Sequence, residues 1–201
     1  KARAEVRAAK AFPGAIVIRP SIIFGPDDSF FNRFAALARF SPVLPLIGGG
    51  RTRFQPVFVG DVAEAINSLV ERGLADGRIY EFGGPEIYTF KQLMQFTLRT
   101  IMRRRLLVPL PFVMAKAAAA VIQLLPKPLL TMDQVQLLRR DNVVSEEAAN
   151  QARTLPGLGI TPRDIEAIVP TYLYRYRRAG QFTEFGHRLG HLEARQKSDQ
   201  R

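Results

Sequence analysis

The stretch that most restricts the fold of this chain is A-I-V-I-R-P-S-I-I-F-G-P, from Ala15 to Pro26. Its first five residues, ending at Arg19, are rich in β-branched aliphatics without polar alternation. That is the pattern of a strand buried on both faces, as in a parallel sheet. Pro20 stops the strand. In an open α/β sheet, whatever follows a strand end is delivered to the edge where such sheets hold their ligands, here Ser21 to Phe24. The competing reading is a core strand followed by a turn at Gly25-Pro26.

Ala2 to Ala11 carries no helix breaker and is expected to be helical, with Phe12-Pro13-Gly14 turning it into the strand. After Asp27 and Asp28, Ser29 is placed to cap a helix bearing Phe30, Phe31, Phe34 and Leu37 at helical spacing, most simply as core. Ser41-Pro42 to Pro45 should break that helix. Gly48-Gly49-Gly50 makes a turn rather than a phosphate loop, because it opens no helix and no Lys-Ser/Thr follows. Phe54 to Val59 is expected as a second strand, and Asp61 with Glu64 as a capping pair for the next helix. Arg78 to Phe82 is a short strand and Gly83-Gly84-Pro85 a turn. Thr89-x-x-Gln92 is another capping box, starting a helix with Phe90, Leu93, Met94, Thr97, Leu98 and Ile101 on one face.

Several of these pieces together resemble a known family. R-P-S-I-I-F-G-P, the run G-G-G-R-T-R-F-Q-P-V-F-V-G-D-V-A-E-A-I from Gly48, Y-E-F-G-G-P-E from Tyr80 and Y-T-F-K-Q-L from Tyr88 resemble the extended short-chain dehydrogenase/reductases, the NAD(P)-dependent epimerases and dehydratases. With T-M-D-Q-V-Q-L-L-R-R-D-N near Thr131, the likeness narrows to the atypical dehydrogenase-like accessory subunits of respiratory complex I, and runs to about Tyr176. The resemblance implies the C-terminal part of a Rossmann-like doubly wound parallel sheet in an α/β fold, plus a smaller, mainly helical C-terminal domain. It divides the chain into a Rossmann-like part (1–103), a helical, basic-apolar docking region (104–178) and a polar tail (179–201). The family's glycine-rich loop and catalytic Tyr would precede Lys1, so the chain is expected to be the C-terminal part of a longer protein.

The resemblance also supplies the candidate site. Lys1 sits where the family has the Lys of its Tyr-x-x-x-Lys pair, which holds the nicotinamide ribose and lowers the Tyr pKa through its charge. Pro20, Ser21, Ile22 and Ile23 would line the nicotinamide wall, and Gln55 would face the same pocket. The implied cofactor is NADPH, with NADP or NAD as alternatives, and the implied partners are other complex I subunits. The implied location is peripheral, on the cytoplasmic face of a bacterial inner membrane or the matrix face of the mitochondrial one. One departure matters: where nucleotide-sugar enzymes of the family place a diphosphate-gripping Arg, seven residues before Asp61, this chain has Phe54. A bidentate clamp depends on placement. The position therefore argues against a sugar-nucleotide substrate, leaving a structural role for the cofactor or, alternatively, a free oxidoreductase acting on a small substrate.

Composition sharpens this. The chain has 201 residues, no Cys, two His and a formal net charge of +11. Without cysteine there is no disulfide or Cys-based metal site, and His187 and His191 lack evident further ligands. From Gln95 to Arg140, eight Lys/Arg face one acid, Asp133, in the span that also holds the most apolar run. Basic flanks around an apolar segment point to an anionic membrane surface or an acidic partner, and no nucleic-acid-reading motif accompanies them. Prolines and lysines leave only Phe112 to Leu125, itself carrying Lys116, too short and too interrupted to span a bilayer. It is either a core helix, which the sequence alone favours, or a docking helix. Thr131-x-x-Gln134 should cap a helix through Arg139, and Thr161-Pro162 should open a last one. Tyr172, Tyr174 and Tyr176 with Arg175, Arg177 and Arg178 are expected to pack a domain edge or dock a partner.

Overall fold

The computed structural model describes residues 2–122 and 132–178. Lys1, the capping Thr131 and the tail bearing His187 and His191 lie outside the described residues. Helix α1 (Ala2–Ala11) leads into strand β1 (Val17–Pro20), then β2 (Ile23–Phe24), α2 (Phe31–Phe40) and β3 (Val43–Ile47). A 3-10 turn over the three glycines precedes β4 (Arg53–Phe54), β5 (Val57–Phe58) and α3 (Val59–Glu71). There follow β6 (Ile79–Phe82), β7 (Tyr88–Thr89), α4 (Phe90–Thr100), β8 (Leu106–Leu110) and α5 (Phe112–Ile122). Short helices close the described chain: α6 (Met132–Leu137), α7 (Glu146–Asn150), α8 (Ile165–Ile168) and α9 (Pro170–Leu173).

Three strand pairs are parallel, β1 with β6, β2 with β5 and β3 with β8, and β4 pairs antiparallel with β7. Parallel pairing with helical crossovers is the α/β architecture the sequence implies. β1 is less enclosed than a both-faces-buried strand. Ile16 and Ile18 pack on a cluster built around Val57, Tyr80 and Phe82, but Arg19 turns out to pair with Glu5 of α1 at 2.6 Å. The one charged residue in the run thus marks the partly wet face, covered by the amphipathic α1.

The main core joins Phe24, Phe31, Leu44, Phe90, Leu93 and Met94 with Ile165, Val169 and Leu173 from the far end of the described chain. Phe30 meets Phe31 at 5.2 Å and Phe34 at 5.1 Å, and Phe34 meets Phe90 at 5.6 Å, all edge-on, as aromatic quadrupoles prefer. The phenylalanines of α2 are core, as expected.

Several local expectations change. Ser29 does not cap α2; Asp28 Oδ1 accepts the Phe31 and Asn32 amides instead, since a carboxylate one residue earlier reaches the same N–H groups. Phe54 to Val59 is not one strand. It splits at Gln55-Pro56 into β4 and β5, which pair in different sheets, and Val59 already begins α3. Asp61 lies inside the first turn of α3, wholly buried, and Phe58 stands at the N-cap without a side-chain bond, so no D-x-x-E box forms. The proline-broken stretches around Pro45 and Pro109 are the strands β3 and β8. Pro162 does not open the last helix; Asp164 caps α8, and Pro170 opens α9. The box at Thr89 forms as read, its side chain and that of Gln92 bonding reciprocally. On α5, Ala115 is buried in a small cluster with Ile47 and Val135 against which Phe112 packs, while Val113 and Met114 stay exposed, so its described side chains are partly core and partly open to solvent. No helix among the described residues is long and apolar enough to cross a membrane.

Candidate functional site

β1 and β6 end level with each other, Pro20 opposite Phe82, and the Ser21 amide extends their ladder by donating to the Phe82 carbonyl at 2.9 Å. Ser21 is buried. Its hydroxyl donates to the Asn142 carbonyl at 2.6 Å and accepts the Gln55 amide at 3.0 Å. One small side chain thus stitches together three segments that are remote in sequence.

Gln55 is the second node. Its Nε2 donates to the Gly84 carbonyl at 2.8 Å, and its Oε1 accepts the Val144 amide at 3.0 Å. The Gly84 amide in turn donates to the Gln55 carbonyl at 3.2 Å. This close approach explains the second glycine of Y-E-F-G-G-P-E, because a Cβ on Gly84 would collide with the Pro56 carbonyl.

Beside Ser21 lies a cleft of about 210 Å³, lined by Arg19, Ser21, Glu81, Phe82 and residues 141–144, with Gln55 behind its wall. It sits beyond the carboxyl ends of β1 and β6, where parallel sheets place ligands. Its charged groups are partnered. Arg19 pairs with Glu5, whose hydrogen bond raises the guanidinium pKa further. Asp141 binds both the backbone amide and the guanidinium of Arg53, at 2.8 Å each, which hold its carboxyl below the ordinary range. Glu81 accepts the Ser145 amide at 2.8 Å. Arg19 and Asp141, each held further into its charged form, are poor proton shuttles near neutral pH, where a general acid or base works best with a pKa close to ambient. Binding suits this cleft better than acid–base chemistry.

Of the predicted residues, Ser21 and Gln55 are brought into contact, and Pro20 stands at the strand end beside them. Ile22 packs against the main core, and Ile23, on β2, is 40% exposed and pairs with Val57. Lys1 lies outside the described residues. Asn142 and Val144 were not foreseen, since D-N after a basic helix carries only a stop signal. Phe54 is buried in the main core with Arg51 and Arg53 exposed beside it, and Arg53 is engaged by Asp141. Among the described residues no group of three or more His, Cys, Asp or Glu is placed to hold a metal.

No protein-family model matches the chain. It is 35% identical over 190 residues to NADH dehydrogenase [ubiquinone] 1 alpha subcomplex subunit 9, mitochondrial, of Arabidopsis thaliana, a match covering 90% of this chain and 46% of that protein. It is 32% identical to the rat (Rattus norvegicus) protein of the same name, covering 88% of this chain and 46% of the relative. The chain thus spans about half the length of the curated relatives it matches. Among solved structures it resembles dTDP-glucose 4,6-dehydratase DesIV from Streptomyces venezuelae, determined with NAD and TYD bound. That match has a TM-score of 0.59 and 18% identity over 89% of this chain and 50% of the other. The fold is the Rossmann-like one of epimerase/dehydratase-type proteins, and the two relatives named are subunits of the NADH dehydrogenase [ubiquinone] complex, respiratory complex I.

Proposed function

Starting from this kinship with complex I subunits on an epimerase/dehydratase-type fold, we propose that the chain acts within an accessory subunit of NADH:ubiquinone oxidoreductase. In this reading NADPH is a structural cofactor, and the subunit stabilises the peripheral arm near the membrane. The observation that carries it is the 35% identity to the plant subunit across 90% of the chain. Two features of the site support a structural role over turnover. The charged groups of the cleft are already paired, and Phe54 fills with core packing the position where sugar-nucleotide enzymes of this fold carry their phosphate clamp.

A cleft of about 210 Å³ is smaller than typical ligand pockets of roughly 300–1,000 Å³. The described residues therefore fit one wall of a dinucleotide site. When bound, NADPH would supply a hydride donor. Pro20 and Ser21 would form the wall beneath its nicotinamide end, Lys1 would hold the ribose, and Gln55 would fix the Gly84 and Val144 backbone behind that wall. The partners are other complex I subunits, and the basic, apolar span from Gln95 to Arg140 faces the membrane surface, on the cytoplasmic side in a bacterium or the matrix side in a mitochondrion.

Native-gel separation of gently solubilised membranes from the source cells tests this. Co-migration with the large band of NADH dehydrogenase activity is expected, together with release of NADPH from the purified full-length protein on denaturation. Migration as a small free species overturns the subunit reading, and absence of any nucleotide overturns its cofactor half.

A further inference from the structure

We infer that the outward face of the β3–β8 pair, with the end of α2, is a seat for an anionic lipid surface. This rests on the membrane-side placement proposed above and adds which face is used and which lipid chemistry it takes.

Side chains alternate across this pair. Leu44 and Leu46 point into the main core and Leu107 packs against it. Val43, Pro45, Leu106 and Val108 take the opposite face, with Val43 in register with Leu106 and Pro45 with Val108. Leu106 is 68% exposed and Val108 45%. A sheet face turned to water ordinarily carries polar residues at alternate positions, but here all four are apolar. Phe40, three residues before Val43, extends the patch at 83% exposure.

Charge identifies what covers this face. The Arg39 guanidinium lies 5.6 Å from the Phe40 ring centre, Arg105 is anchored to the Ala38 carbonyl at 2.8 Å, and Arg104 is exposed beside it. Residues 29–60, which contain α2 and β3, include no Asp or Glu, and neither do residues 87–132, which contain β8. No carboxylate from either strand or its flanks opposes an anionic surface. A second copy of the chain would set these arginines against one another. Apolar side chains that project rather than line a groove, rimmed by arginines, suit the boundary between acyl chains and anionic headgroups.

The test is flotation of the purified full chain with phosphatidylcholine vesicles, plain or containing phosphatidylglycerol. The wild type is expected to float with the anionic vesicles only. Phe40→Glu combined with Leu106→Glu should lower the floated fraction at least about tenfold, since two apolar anchors are lost. Phe40→Ser with Leu106→Ser, which leaves the charge unchanged, should lower it in the same direction, and Arg39→Glu with Arg104→Glu should do likewise. Val70→Glu, at a 72% exposed site on α3, should leave flotation unchanged. Equal flotation of the Phe40/Leu106 variants and the wild type, equal binding to neutral vesicles, or no binding at all overturns the inference. Co-migration in the native gel is read separately. A co-migrating protein that fails to float removes this face alone, and variant-sensitive flotation without co-migration removes the subunit reading alone.

Discussion

Asp28 holds two parts of the chain with one carboxylate. Its Oδ1 accepts the first amides of α2, and its Oδ2 accepts the Tyr172 hydroxyl at 2.6 Å, across a separation of 144 residues. Burial pushes the carboxyl above the ordinary carboxylate range, against the opposing hydrogen bonds from Tyr172 and the α2 backbone. A raised folded pKa means that the folded state holds the proton more tightly. The stabilisation is full below the unfolded value of about 4 and is lost as pH rises through the folded one. Thermal melts across that interval should show the wild type losing stability relative to Asp28→Asn as pH rises; parallel curves would exclude this titration. Asp61 acts differently. Wholly buried, it accepts the Arg163 amide at 2.7 Å and lies 3.5 Å from the Arg163 guanidinium. Asp61→Ala leaves that amide without its acceptor and should cost about 1–3 kcal/mol in denaturant unfolding. The sequence shows an acid near a helix start, and a cap is the cheapest account of it. Only the fold shows a loop arriving from 102 residues away.

α4 is the element most fully legible in the sequence, because both its ends are set locally. Thr89 and Gln92 form the reciprocal box, and Thr89→Ala should destabilise by about 1 kcal/mol, seen as a drop in Tm of a few degrees. At the other end the Arg103 amide donates to the Leu98 carbonyl and the Met102 amide to that of Arg99, a Schellman closure with Met102 at φ 53°. Glycine is favoured there, so Met102→Gly should raise stability by about 1 kcal/mol; a lower Tm would contradict this. β3 and β8 were not legible, and the reason is physical. Proline in an apolar run argues against a strand because it donates nothing to the ladder. Here each strand has one neighbour among the described residues, so Pro45 and Pro109 can turn their missing N–H to the unpaired side. The segment passes for a broken helix or linker until its partner 63 positions on is known.

Across the whole molecule, the core draws on both ends of the described chain, and Ile165, Val169 and Leu173 are as buried as Phe24 and Phe31. Leu173→Ala should therefore cost about 2–5 kcal/mol, while Phe40→Ala on the exposed face stays within about 0.5 kcal/mol. Equal effects in chemical denaturation would contradict this division. The general α/β pattern was legible because an apolar run without alternation marks a buried parallel strand and a 3.6-residue stripe marks an amphipathic helix, while the family resemblance supplied the Rossmann-like arrangement. The stitching of the cleft was not, since Ser21 meets Asn142 across 121 residues and Gln55 meets Val144 across 89, distances no local pattern spans. The same reach sets the order of events at the ribosome. Until Leu173 and Tyr172 have left the exit tunnel, Phe24 and Phe31 have no complete core to enter, and closing loops of this length is slow. The nascent chain must wait with its aromatics uncovered, which makes it a natural client for chaperones that shield such surfaces during synthesis.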